Sequence, residues 1–361
     1  MNGVIPPEHL GRETDGVAKP PRGRAACGIP AFRPLRPPRG VPACTARVGR
    51  EPAAAQMSAT PASPAMPSRP TEAVGIARAF VAGARPRTLP AAVVPVAVGV
   101  AVAHAEGQVI WWRAVLALVV SLAMQIGTNY ANDYSDGVRG ADAARVGPQR
   151  LVGGGLASPR AVKLAAMLTF GIGAAAGLAL AFATTLWLVA IGAACIAAGW
   201  LYTGGPKPYG YLGLGELFVF VFFGLVAVTG TAYVSAGRVG TLAVLAGIPV
   251  GLLAVALLVV NNLRDIPGDR AVQKRTLAVL LGDRRTRMLY GACVLGAFCA
   301  LSGVAPTRPA CLLALLALLA AARPLRIVAR GATGGELIAA LVATGALQLV
   351  FGALFTAGIA W

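Results

Sequence analysis

Two stretches of the chain place side chains that bind hard cations at regular spacing: Asn132-Asp133-Tyr134-Ser135-Asp136 and Asn262-Leu263-Arg264-Asp265-Ile266-Pro267-Gly268-Asp269. Each follows directly on a long apolar run. From residue 71 onward the chain has ten acids, and five of them lie in these two clusters, counting Asp142. Asp265 and Asp269 stand at i and i+4, and so do Asn132 and Asp136. If helices continue through them, each pair projects from one face. Two such pairs meeting at a bundle centre form a dense oxygen site. That suits Mg²⁺, which keeps several waters and is completed by substrate phosphates. Carboxylates at membrane depth are costly and usually face a functional cavity.

Cations surround the acids: Arg139, Arg150, Lys207, Arg264, Lys274 and Arg275. Beside Mg²⁺, such groups stabilise the charge that develops on a departing diphosphate. Tyr130, Tyr134, Tyr202, Tyr209 and Tyr211 are near in sequence. Their ring faces stabilise a cation without readily capturing it, and Tyr134 and Tyr202 are taken as the tyrosines of the site. Together these groups fit ionisation of an allylic diphosphate in a membrane. The competing reading treats the acids as helix-end residues paired with arginine, the lysines and arginines as topology signals, and the tyrosines as an interfacial belt. Two matched clusters on one side of the membrane favour the metal site.

The elements that must position these groups are membrane helices. The chain has 361 residues, is 57% hydrophobic and 13% charged, and has a mean hydropathy of +0.69. Several apolar runs reach the ~20 residues that span hydrocarbon as a helix. The fold class is all-α, a polytopic membrane protein. Nine spans are expected near 89–105, 111–131, 161–182, 184–202, 214–235, 239–262, 288–304, 309–322 and 335–360. Lysine and arginine concentrate in alternate loops, so the N-terminus is expected inside, the C-terminus outside and both acidic clusters on the cytoplasmic face. An apolar helix ending in Asn and then Asp occurs twice, which reads as an internal repeat with a shared site.

The net charge of +18 lies in the N-terminal tail and these loops, not in a nucleic-acid-binding face. Residues 1–75 are Pro-, Arg- and Ala-rich and read as a disordered tail, with residues 76–361 as the membrane domain. Four of the six cysteines lie inside apolar runs, and only His9 and His104 could serve a histidine metal site. That leaves almost no material for zinc or haem.

The motifs are identifiable as a set. They are Arg85-Pro86-Arg87-Thr88-Leu89-Pro90, Asn132 through Asp142, Gly147-Pro148-Gln149-Arg150-Leu151-Val152, Tyr202-Thr203-Gly204-Gly205-Pro206-Lys207-Pro208 with Tyr211 through Glu216, and Asn261 through Ala278. On these the chain resembles the UbiA-type membrane prenyltransferases over residues 80–360, and within them the branch that prenylates 1,4-dihydroxy-2-naphthoate. The resemblance implies nine helices around a central cavity with a cytoplasmic active site. It implies Mg²⁺ on Asn132, Asp136, Asp265 and Asp269 with Asp133 close by, and diphosphate contacts from Arg139, Arg150, Lys207, Lys274 and Arg275. The implied reaction moves a polyprenyl group from polyprenyl diphosphate to the naphthoate, giving demethylmenaquinone, diphosphate and CO₂. The broad superfamily pattern has an acid at position 140, where this chain has Gly140; here the third acid is Asp142, as in the naphthoate branch. The alternatives are a prenyltransferase for another ring, such as 4-hydroxybenzoate or homogentisate, and an ion-coupled transporter, whose acids belong nearer the mid-membrane.

Overall fold

The computed structural model describes residues 70–140 and 149–361, and among them every regular element is helical. Calls on residues 1–69 and on Asp142 lie outside the described residues. The first described element, α1 (Pro70–Gly83), begins within the stretch 1–75 expected as tail. Proline is well suited to a first helical turn, where its missing N–H is not needed.

Arg85, in a left-handed conformation with φ 56°, and a short 3₁₀ turn at Pro86–Thr88 follow α1. The chain then bends by 54° into α2 (Pro90–Ala105). The remaining long elements are α3 (Trp111–Val138), α4 (Pro159–Ala183) and α5 (Trp187–Leu201). Next comes a composite span of α6 (Gly215–Val219), a π-helical segment (Phe220–Val226) and α7 (Ala227–Ala236). It is followed by α8 (Thr241–Ala271), α9 (Leu277–Cys299) and α10 (Leu301–Val304). A 3₁₀ stretch (Pro309–Ala317), α11 (Leu318–Ala329) and α12 (Glu336–Ala360) complete the chain.

Seven of the described helices are long and apolar enough to cross a membrane, and eight if the bent pair 75–105 counts as one crossing. The remaining expected span, 184–202, falls on α5, whose 15 residues are fewer than the ~20 of a straight crossing. Apolar side chains cover the outside: Leu319 is 84% exposed and Trp187 78% exposed. In water such a surface would be untenable; in lipid it is the expected one. This is a multi-pass membrane protein.

The expected helix ends need correction at the acidic stretches. The spans drawn to 131 and 262 run on as helix to Val138 and Ala271, so the carboxylates stand on helix faces and not in loops. Nothing in Asp133–Gly137 breaks a helix, and α8 carries Pro267 inside it. The seventh span begins earlier than position 288, at Leu277, where Thr276 caps the N-terminus by accepting the Val279 N–H. It kinks at Gly282, whose φ of 76° is the left-handed region open to glycine.

The π segment has a packing reason. A Cβ on Gly224 would lie 2.6 Å from the Cα of Gly251 and 2.8 Å from the Gly247 carbonyl oxygen. Two backbones therefore touch where α8 meets this segment, as small residues allow in membrane bundles. Elsewhere α3 packs along α4, α8 along α9, and α12 against α2.

Candidate active site

The helices enclose a cavity of about 700 Å³. One face of α3 lines it from Ala117 through Val120, Met124, Thr128 and Asn129 to Asn132. These positions fall along one side of the helix over about 15 residues, so the lining extends about 22 Å along it. Near Ala117 the wall is apolar, with Val96, Leu180, Leu188 and Val234. Near Asn132 it is polar, with Arg85, Asp133, Gln149, Arg150 and Arg264. An apolar tube with one charged mouth suits a long hydrocarbon carrying an anionic head.

Asp136 lies one helical turn beyond Asn132 on α3, and Asp265 one turn beyond Asn261 on α8; both Asn132 and Asn261 line the mouth. Lys274, in the connection after α8, joins the two acidic helix ends. Its ammonium is 3.2 Å from Asp136 Oδ2 and 3.9 Å from Asp269 Oδ1. The Tyr211 hydroxyl donates to Asp136 Oδ1 at 2.9 Å. The Tyr211 ring lies against two cations, the Lys274 ammonium at 5.1 Å and the Arg139 guanidinium at 5.5 Å. Arg139 in turn donates to the carbonyls of Thr203 and Gly205, tying α3 to the loop after α5.

The other expected ligands are engaged differently. Asn132 Oδ1 accepts from the Thr203 hydroxyl at 2.7 Å. Asp265 receives a two-pronged bond from its neighbour Arg264, at 2.7 and 2.8 Å, and Arg264 also donates to Asn261. Asp269 Oδ2 accepts from Thr276 at 3.4 Å. Asp133 turns its oxygens to the backbone N–H groups of Leu151 and Val152, at 3.1 and 3.3 Å. Among the described residues no three His, Cys, Asp or Glu side chains cluster closely enough to enclose a metal. The Lys274 ammonium links Asp136 and Asp269, acids of two different helices.

Tyr202 lines the cavity next to this pair. From it an aromatic row leads along the wall. Tyr202 meets Tyr209 edge-on at 5.5 Å, Tyr209 stacks on Phe218 at 4.1 Å, and Phe218 lies 6.0 Å from Phe222. The sequence reading missed Phe218 and Phe222. Their signal was present as an i, i+4 aromatic pair just after the tyrosine loop.

Tyr134, expected at the site, is not among the cavity-lining residues. It stacks on Trp200, and Lys163 lies over its ring at 5.8 Å. One residue is a turn of about 100° around a helix, so the face that carries Asn132 and Asp136 lies roughly opposite Tyr134; Asp136, Asp265 and Asp269 lie beyond the lining residues Asn132 and Asn261. Lys207 and Arg275 are exposed on their loops, whereas Arg150 and Arg264 line the mouth.

Comparison with known proteins agrees with this architecture. Residues 92–336 match the model of the UbiA prenyltransferase family. The chain is 52% identical over 279 residues to the 1,4-dihydroxy-2-naphthoate octaprenyltransferase of Mycobacterium tuberculosis, covering 77% of this chain and 95% of that protein. It is 31% identical over 284 residues to the enzyme of the same name from Bacillus subtilis, covering 76% of this chain and 90% of that one. Two solved structures share the fold. A UbiA homolog from Archaeoglobus fulgidus bound to GPP and Mg²⁺ has a TM-score of 0.53 at 15% identity and covers 78% of this chain and 99% of its own. A UbiA homolog from Aeropyrum pernix K1 has a TM-score of 0.55 at 17% identity and covers 74% of this chain and 96% of its own. With its helices, its charged cavity mouth and a family match over most of its length, the chain belongs to the UbiA prenyltransferase family.

Proposed function

We propose that this prenyltransferase moves a polyprenyl group from polyprenyl diphosphate to 1,4-dihydroxy-2-naphthoate, with loss of CO₂, to give diphosphate and the prenylated naphthoquinol, the reduced form of demethylmenaquinone. The observation that carries the donor half is the bridging of Asp136 and Asp269, from two different helices, by Lys274, with Asp136 one helical turn beyond the cavity-lining Asn132. The acceptor rests on the relatives, whose names specify the naphthoate. The protein crosses the membrane nine times, with the bent pair and α5 each serving as a crossing. The excess of lysine and arginine in the loops at the mouth sets that end on the cytoplasmic side.

The site fits Mg²⁺. Its donors are carboxylate oxygens, and a cation, the Lys274 ammonium, already sits between them. Two carboxylates with substrate phosphates are a usual Mg²⁺ set. Bound there, the metal neutralises charge on the departing diphosphate. The protein's own groups do the rest. Arg139, Arg150 and Lys274 bind and orient the diphosphate, with Lys207 and Arg275 at the loop edge. Arg264 holds Asp265 in place. Asp133 orders the loop that carries Arg150 and Leu151, and Asn132 fixes Thr203. As the bond from the prenyl carbon to oxygen breaks, its electron pair leaves on diphosphate. The faces of Tyr202, Tyr209 and Phe218 stabilise the allylic cation without capturing it. The naphthoate ring carbon then forms the new bond to the prenyl carbon, and the carboxyl group leaves as CO₂. The apolar walls keep water from the cation.

Purified protein supplied with the naphthoate, Mg²⁺ and a polyprenyl diphosphate is expected to form the prenylated naphthoquinol. Asp269→Ala is expected to lower kcat/KM by about 100-fold or more. Turnover that survives EDTA, or an unchanged Asp269→Ala rate, would overturn the metal reading. Turnover only with another aromatic acceptor would overturn the naphthoate assignment.

A further inference from the structure

We propose that Lys274 is a built-in occupant of the cation position. Its ammonium bridges Asp136 and Asp269 in the empty enzyme, gives way when metal enters, and turns to the diphosphate that the metal carries. This rests on the metal reading of that carboxylate pair.

The geometry is specific. Asp136 belongs to α3 and Asp269 to α8, and two carboxylates facing each other across a buried gap repel. The Lys274 side chain is 12% exposed and reaches both, at 3.2 and 3.9 Å. Its own backbone is held in place, since its N–H donates to the Asp269 carbonyl at 2.8 Å. The anchor is thus fixed while the side chain crosses to the other helix. Tyr211 gives the ammonium a ring face at 5.1 Å and donates its hydroxyl to Asp136. A compact charge on a flexible four-carbon stem can leave and return by rotation of its own side-chain bonds. Arg264 behaves differently. Its bonds to Asp265 and Asn261 stay within α8. Lys274 is thus a positioning residue that holds the two acidic helix ends at a set distance before substrate arrives.

The test uses detergent-solubilised full-length protein without substrate and reads Mn²⁺ binding by EPR. Lys274→Gln is expected to bind Mn²⁺ at least ~5-fold more tightly than the natural protein, because a competing cation has gone. Arg275→Gln makes the same charge change on an exposed neighbour and measures the through-space contribution, which is expected to be smaller. With inorganic pyrophosphate present the order is expected to reverse, with Lys274→Gln binding pyrophosphate more weakly. In EDTA, Lys274→Gln is expected to melt below the natural protein, with saturating Mn²⁺ closing the gap. Lys274→Arg keeps the charge and is expected to melt close to the natural protein in EDTA. Equal or weaker Mn²⁺ binding by Lys274→Gln, or tightening no greater than that of Arg275→Gln, would overturn the proposal and leave the metal reading standing. No Mn²⁺ binding by either protein, with or without pyrophosphate, would overturn the metal reading itself.

Discussion

Asp133 and Leu151 are bonded side chain to backbone: the buried carboxylate of Asp133, 1% exposed, accepts the Leu151 N–H at 3.1 Å. Its second oxygen accepts from Val152. An acid in the middle of the first acidic stretch thereby organises the loop beside the mouth. Asp133→Ala would leave the buried Leu151 N–H without its acceptor, at about 1–3 kcal/mol, and the half-buried Val152 N–H without its own at a smaller cost. The expected result is a lower melting temperature in detergent with metal present or absent, together with a higher KM for the prenyl diphosphate. A melting curve that moved only when metal was added would contradict this assignment.

The row Tyr202, Tyr209, Phe218 and Phe222 is expected to act on the chemical step and not on metal binding. A ring facing a cation contributes about 0.5–2 kcal/mol. Phe218→Leu keeps the site apolar and removes that face, so kcat should fall about 2- to 30-fold. The Mg²⁺ concentration for half-maximal rate should stay the same. Steady-state kinetics over a Mg²⁺ series separates the two quantities.

The far end of the cavity should set donor length. Ala117 is buried and lines the apolar end, about 22 Å along α3 from Asn132. Ala117→Phe fills space there without touching the charged mouth. Turnover of a long prenyl diphosphate is expected to drop, while that of a short one persists. Product analysis with donors of graded length reads this directly, and an equal loss at every length would count against the assignment.

The contact between α8 and the π segment should depend on the missing side chains. Gly224→Ala would drive a Cβ to within 2.6 Å of Gly251 Cα and 2.8 Å of the Gly247 oxygen, both backbone atoms that cannot rotate away. Overpacking of this kind costs about 1–3 kcal/mol. The melting temperature should fall, and activity should fall with it, because this segment carries Phe222 and follows Phe218. An unchanged melting temperature would mean that the helices can separate at no cost.

Much of this protein is decided locally, and that part is legible in the sequence. A crossing helix needs a continuous apolar run, so nearly every span could be drawn from hydropathy. The spacing of Asp265 and Asp269, and of Asn132 and Asp136, follows from helix geometry alone. The motifs around them were enough to place the chain among the UbiA prenyltransferases. Partners distant in the chain were decided only by the tertiary structure. Neighbouring residues on one helix point about 100° apart, so packing determines that Asp136 faces Lys274 while Tyr134 faces Trp200. Packing also brings Asp133 to a loop 18 residues away and lines Phe218 up behind Tyr209. Local spacing determined which residues can share a face. The rotation and approach of whole helices, a sum over every contact in the bundle, decided which face looks into the cavity.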